Sequence, residues 1–333
     1  MALLASNVLT LADWAKRNGP DGKIGTIVEL LSQTNEVLDD MLWKEGNLVT
    51  GERTVVRTGL PAVAWRLLNQ GVAVSKSTTA QIDEQCGMLE AWSEVDKDLA
   101  ELNGNTSEFR MSEASAFIEA MNQEMAQTLF YGNSSVAPGE FTGLSIRYSD
   151  PAATNGSNVI DAGGAGSDNT SIWLVCWGSQ TIFGIFPKGS KAGLFHEDLG
   201  LVTVETTAGV GGTRMRAYQD HWQWKCGIAL KDWRYVVRIG SIDVSNLVAN
   251  SGSEAKIIQL MIKAIHRIPF LKLGKPVFYM NRTVFQMLDI QRLASVQTGG
   301  GITYETVDGK IVPSFRGIPI KIVDAILETE ALV

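Results

Sequence analysis

Between Gly51 and Gln81 the chain reads "GERTVVRTGLPAVAWRLLNQGVAVSKSTTAQ", with β-branched runs on either side of Gly59-Leu60-Pro61 and few large apolar residues for its length. The pattern predicts an outgoing strand from Arg53 to Thr58 and a return from Trp65 to Ser75, a long polar hairpin. A two-stranded ribbon of this kind is marginal in water by itself, so it needs a neighbour to support it. Residues 1–48 carry the same message. They predict two short amphipathic helices, the first with Thr10 as N-cap and Asp13 in its first turn. The second, "IGTIVELLSQTNEVLDDMLW", repeats Ile27, Leu30, Leu31, Leu38, Met41 and Leu42 at helical spacing. Neither has room for a core, and the apolar stripe must be buried on another part of the chain or on another chain.

A longer helix follows over residues 112–131. Ser112 is its candidate cap, and Phe117, Met121, Met125 and Leu129 recur every four residues beside Ala114 and Ile118. About 20 residues span about 30 Å. Gly132 stands where a left-handed C′ residue is expected, and Asn133-Ser134-Ser135, Pro138-Gly139 and Gly143 turn the chain away. A Met-rich stripe of this spacing is core rather than a cofactor box.

The 333 residues exceed what one ordinary core holds, and 45% hydrophobic with 20% charged residues is a globular composition. A net charge of -7 disfavours direct binding to nucleic acid, although a container wall can enclose DNA without gripping it. Cys86, Cys176 and Cys226 are odd in number and far apart, which suits neither a disulfide framework nor a zinc pair. No run reaches the roughly 18 apolar residues of a membrane span.

Catalytic readings find little support. The acids Asp83, Glu84, Glu90, Glu94, Asp96, Asp98 and Glu101 lack the alternation and glycine of a calcium loop, and read as a solvated or interface-facing strand. Gly163-Gly164-Ala165-Gly166 is followed by strand, not by Gly-Lys-Ser/Thr and a helix. His221 adjoins Asp220, but neighbours on a strand point to opposite faces, and His196 and His266 have no evident partner. No cofactor or metal is expected, and the chain is not expected to be an enzyme.

Residues 171–244 are strand-rich and hold Trp173, Trp177, Trp222, Trp224 and Trp233. Then come an amphipathic helix over 253–268 capped by Ser253, a strand "KPVFYM", a helix capped by Asn281 or Thr283, and two closing strands. The fold class is α+β, with a compact α/β layer in the second half.

Five blocks, "LNQGVAVSKSTTAQ", "GMLEAWSEVDKDLAELNGN", "FIEAMNQEMAQTLFYGN" with "FTGLSIRY", "RIPFLKLGKPVFYMNRTVFQMLDIQ" and "GGGITYETVDGKIVPSFRGIPIKIVDAI", resemble the major capsid proteins of tailed bacteriophages. They run in order from about residue 50 to the end. The resemblance implies the Hong Kong phage-type major capsid fold. Residues 1–48 become the N-terminal arm, 49–80 the extended E-loop, 81–150 the peripheral domain with its spine helix at 112–131, and 151–310 the axial domain. Residues 311–333 become a strand returning toward the peripheral domain and a tail. It further implies a coat subunit assembling as hexamers and pentamers into an icosahedral head around double-stranded DNA. The location is then the virion, and the host cytoplasm during assembly. A portal, a decoration protein and a scaffolding protein are the implied partners, the scaffold being separate because no charged helical preface precedes the arm. Lys76 lies on the loop, but no matching Asn and carboxylate are identified, so covalent crosslinking is not carried over from the resemblance.

Charge complementarity then marks Arg53, Arg57 and Lys76 on the loop, facing Glu90, Glu94 and Asp96 of a neighbouring subunit, as interface candidates, and Trp65 of the same loop joins them. The competing readings are an encapsulin-type compartment of the same fold, an α/β enzyme, and a Trp-rich carbohydrate-binding module, which would expose its Trp rings.

Overall fold

The computed structural model describes residues 9–17, 31–104, 106–205, 214–249, 256–295, 303–307 and 310–333. In chain order the elements begin with α1 (Leu11–Arg17), α2 (Val37–Asp40), β1 (Trp43–Glu45), β2 (Gly51–Gly59), β3 (Thr78–Gln85), β4 (Gly87–Asp96), α3 (Lys97–Ala100), α4 (Thr106–Tyr131) and α5 (Leu144–Arg147). Next come β5 (Val159–Asp161), β6 (Asn169–Trp177), β7 (Ile182–Phe186), β8 (Leu194–Glu205), β9 (Arg214–Leu230), β10 (Val236–Asp243), α6 (Val244–Ala249) and α7 (Ile257–Arg267). The chain closes with β11 (Lys275–Met280), α8 (Arg282–Ser295), β12 (Thr303–Val307), β13 (Lys310–Phe315) and β14 (Ile318–Ile322).

Strand β6 organises both cores. It is buried at every position, as its near-continuous apolar run demands of a strand covered on two faces. Alternation sends Ile172, Leu174 and Cys176 to one side, where they pack with Leu260, Met261 and Ala264 of α7 and Val284 and Leu288 of α8. Trp173, Val175 and Trp177 go to the other, against Met125, Leu129 and Phe130 of α4 and Val323 and Ile326 of the tail. Antiparallel β10 and β11 flank β6, and β14 adds parallel to β11. The main path of the sheet is β12-β13-β14-β11-β6-β7-β9-β4. Strand β9 is shared: its first part pairs with β8 and β4, and its end with β7.

The arm departs from the sequence expectation. Helix α1 is capped as expected, with Thr10 N donating to Asp13 Oδ2 at 3.0 Å and Asp13 N reaching back to Thr10 Oγ1 at 3.4 Å. The second helix is not formed over its described part. Only the single turn α2 remains, and the chain then joins the sheet as β1, parallel to β7. The reason is tertiary: Val37 and Met41 are buried in the second core, and Asp40 takes hydrogen bonds from Lys275 Nζ (2.7 Å) and Tyr279 Oη (2.9 Å). Ile27 and Leu30 lie outside the described residues.

Helix α4 begins at Thr106, ahead of the expected cap at Ser112. Its first turns are held by Phe109, buried with Val95 and Ala100 and covered by Leu9 and Trp14. Ser112 sits inside the helix and turns its hydroxyl onto the Phe109 carbonyl at 2.8 Å. Asn281 caps α8 as expected, its Oδ1 accepting from Val284 N at 3.0 Å, whereas Ser253 lies outside the described residues.

Candidate assembly surfaces

The hairpin exists, but its return strand is β3, residues Thr78–Gln85, not Trp65 to Ser75. The reversal falls inside the expected strand. Asn69 adopts a φ of 63° and Gln70 N donates to Leu67 O, so 67–70 is a turn. Residues 60–77 therefore form an excursion beyond the ladder, braced by Ser75 Oγ donating to Ala62 O at 2.8 Å. Val63, Trp65, Leu68 and Val74 are each at least 91% exposed. That apolar content is large for a surface without a partner.

The predicted charges divide. Arg53 finds its carboxylate at home: it pairs with Asp83 directly across the ladder through two 2.7 Å hydrogen bonds, which hold the Asp83 carboxyl below its usual range. Asp96 likewise works locally, accepting from Asp98 N and Leu99 N as the cap of α3. Arg53 and Asp96 thus both make contacts within the subunit, one across the β2–β3 ladder and the other at the start of α3. Arg57, Arg66 and Lys76 are exposed and have no ion-pair partner among the described residues. Glu90 and Glu94 accept from the side chains of Gln223 and Gln219, and His221 Nε2 lies 3.6 Å from the other Glu90 oxygen. They lie on one face of β4 with Met88 and Trp92, which are 63% and 50% exposed.

The helix stripe is core at Met121, Met125 and Leu129, while Phe117 is half-buried and stacks on Trp222 with centroids 5.2 Å apart. Gly132 is not left-handed. It is required by close approach, since a Cβ would lie 2.5 Å from the Phe141 carbonyl oxygen and 2.6 Å from that of Thr128. Gly143 is its counterpart: its N donates to Gly132 O at 2.8 Å, and a Cβ would meet Thr128 O at 2.7 Å. Gly139 faces open space, so its own side needs no glycine. Between them Asn133 builds the turn that carries Pro138, its carbonyl accepting from Val136 N and Ala137 N.

His196, expected to lack a partner, lies 3.0 Å from Asp220 Oδ1 and stacks on Trp222. Asp220 also receives Arg110 of α4 at 2.9 Å, so the arrangement ties β8 and β9 to the helix. His221 points to the opposite face and stacks on Trp92. Burial raises the thiols of Cys86 and Cys176 to about 11 and that of Cys226 to about 12, which keeps them protonated. Among the described residues no group of three or more His, Cys, Asp or Glu is placed to hold a metal, and no helix is long and apolar enough to cross a membrane. Trp173, Trp177 and Trp222 are buried, contrary to what a carbohydrate-binding surface needs.

Sequence reasoning missed a buried cluster at the tail. Glu330 accepts from Arg238 Nη2 at 2.8 Å and from the hydroxyls of Tyr131 and Ser171, while Arg238 Nη1 donates to Tyr148 O at 3.0 Å. The ending "ILETEALV" carries two acids, Glu328 and Glu330, and nothing local distinguishes the one that is buried.

Comparison with known proteins gives this architecture its relatives. The family described as major capsid protein GP7 matches residues 19–333. A chain in the structure of bacteriophage Epsilon15 is 32% identical, covers 100% of this chain and 99% of its own length, and superposes with a TM-score of 0.76. Fainter likenesses include Mycobacterium phage Adephagia (12% identity, 67% of this chain and 92% of that one, TM-score 0.44). The encapsulin complex of Synechococcus elongatus is similar at 10% identity over 72% of this chain and 96% of that one, TM-score 0.43. No curated protein matches the sequence. With the α+β fold, the projecting hairpin and the long helix all in place, the chain belongs to the major capsid protein GP7 family, the repeating structural subunit of a bacteriophage capsid.

Proposed function

We propose that this subunit closes its capsid as hexamers and pentamers around double-stranded DNA, with the hairpin of residues 51–85 as the E-loop that grips a neighbouring copy. The observation that carries this is the loop itself: Leu60, Val63, Trp65, Leu67, Leu68 and Val74 are exposed on a ribbon with no core beneath them. Ordering such residues against water has no return within the subunit, whereas burial on a second copy removes them from water in every contact of a closed lattice. The E-loop then extends to Gln85, where β3 ends.

The receiving surface in this reading is the open face of β4 and β9. It offers Met88 and Trp92 to the apolar tip, and Glu90 and Glu94 to Arg57, Arg66 and Lys76. Arg53 and Asp96 drop out, because each is already engaged. A separate scaffolding protein, a portal and a decoration protein are the partners such a head takes, and assembly belongs in the host cytoplasm.

Electron microscopy of the expressed protein, with and without its neighbouring genes, tests the reading. Uniform shells are expected, and a monodisperse monomer under every condition overturns it. For the pairing, Arg57→Glu should abolish shells, and adding Glu90→Arg should restore them. Normal shells from Arg57→Glu alone end the pairing.

A further inference from the structure

The E-loop meets the body of the subunit through very little. Along β2 only Gly51 and Glu52 are buried, and along β3 only Glu84. Glu52 and Glu84 stand directly opposite each other in the ladder, and each is 8% exposed. Two carboxylates so placed repel, and a buried charge without a partner is costly. Each is answered by a cation from a different part of the body. Arg147 at the end of α5 grips Glu84 with both guanidinium nitrogens at 2.6 Å. Lys231, just past β9, lies 3.6 Å from Glu52, whose other oxygen accepts from Asn47 N at 2.9 Å.

The surroundings leave this rung little freedom. At Gly51 a Cβ would lie 1.9 Å from Glu84 O, so the two strands approach as only glycine permits. The Asn47 amide brackets the next residue, accepting from Arg53 N at 2.7 Å and donating to Arg53 O at 2.8 Å. Arg147 is itself aimed by the Thr142 carbonyl, at 3.1 Å from Nη2 and 3.3 Å from Nε. That carbonyl belongs to the turn joined back to Gly132 at the end of α4. The direction of the loop is therefore referred to the long helix. Leverage is large: the ladder beyond the rung is roughly 25 Å long, so a tilt of about 10° displaces its end by roughly 4 Å.

We propose that Glu84 held by Arg147, and Glu52 held by Lys231, form a charged clamp that sets the direction in which the E-loop leaves the subunit. Arg147 is then a positioning residue for capsid assembly. The assembly half of this inference rests on the E-loop being the arm that grips a neighbour; the clamp itself does not.

The test measures direction in the unassembled subunit, by electron–electron double resonance between bio-orthogonal spin labels at positions 76 and 263, with electron microscopy of shells as a second readout. The parent should give one narrow distance distribution. Arg147→Met should broaden it, and Arg147→Lys, which keeps the charge but loses the fork, should fall between. Exchanging the charges, Glu84→Arg with Arg147→Glu, should narrow it again, which a merely structural role for Arg147 in its own turn would not produce. Glu84→Gln leaves the Arg147 bonds to Thr142 intact and should also broaden the distribution, so it serves if Arg147→Met fails to fold. Distributions as narrow as the parent's in both Glu84→Gln and the folded Arg147 variants overturn the clamp. A broadened distribution with unchanged shells upholds the clamp and instead removes the E-loop from the assembly contact.

Discussion

The hairpin of residues 51–85, the E-loop of our proposal, and the C-terminal tail are both segments without a core of their own, yet one projects and the other is locked in. The tail, residues 323–333, brings Val323 and Ile326 to the second core and buries Glu330 against Arg238. The E-loop brings larger apolar groups, but the subunit offers them no surface. Each takes part in an arginine–carboxylate pair of good geometry, the tail's Glu330 with Arg238 of β10, and burial makes the two pairs unequal. Arg238 and Glu330 are enclosed, with every strong contact supplied by protein, whereas Arg53 and Asp83 are about half exposed and water competes for both. The same chemistry thus holds the fold in one place and merely stiffens a ribbon in the other.

The contrast can be broken most forcefully at the tail. Glu330→Ala strands the Arg238 charge in the interior and should cost about 3–5 kcal/mol in subunit unfolding by denaturant. Replacing both partners, Arg238→Met with Glu330→Leu, should recover much of that loss; equal destabilisation by the double variant would show that the pair is more than a satisfied burial.

The next effect sets the helix against the loop. Leu129→Ala in the second core should cost about 3 kcal/mol. Trp65→Ala should leave the unfolding curve unchanged and reduce shell yield, because that ring has no contact to lose until a second copy arrives. A stability loss at Trp65 would contradict the comparison. Gly132→Ala should cost about 1–3 kcal/mol, since its Cβ is driven into two backbone carbonyls.

A smaller effect is confined to acid. Burial alone would raise the Asp40 pKa, but hydrogen bonds from Lys275, Lys321 and Tyr279 together hold it below the ordinary 3.8. A carboxyl depressed on folding stabilises the native state above its unfolded value, and that contribution is lost as pH falls from 3.8 through the lower folded value. Asp40→Asn should therefore flatten the stability–pH curve below 3.8 and leave its slope near neutrality alone. The smallest effect belongs to Arg53→Ala, for which no measurable change in subunit unfolding is expected.

Legibility followed the range of the forces involved. Thr10 with Asp13, Asn281 as a cap and the strand KPVFYM are local signals, and each is found as the sequence implied. The second arm helix has a fair helical period, but it loses to the buried sites offered by the sheet to Val37 and Met41, which no window of sequence displays. The return strand was misplaced because VAV after Gly71 has the composition of a strand, while the ladder goes to the polar run 78–85 that lies opposite β2. For the assembly surface, the sequence singled out Arg53, Arg57, Trp65, Lys76, Glu90, Glu94 and Asp96 as candidates; Arg57, Trp65, Lys76 and Glu90 are exposed and Glu94 is half-buried. It could not see that Arg53 and Asp96 were already satisfied, because their partners are settled by register and by a cap.

By itself the sequence determined that this chain carries a polar ribbon without a core, a long helix with an abrupt stop, and a strand-rich stretch over residues 171–244. These follow from side-chain period and turn chemistry, which act within a few residues. Only the tertiary structure decided which carboxylates are buried and which cations reach them: Glu330 with Arg238, Asp40 with Lys275 and Lys321, and Glu84 with Arg147. Those partners lie far apart in the chain, and a charge leaves water only where packing has already closed around it and brought its counter-ion within reach.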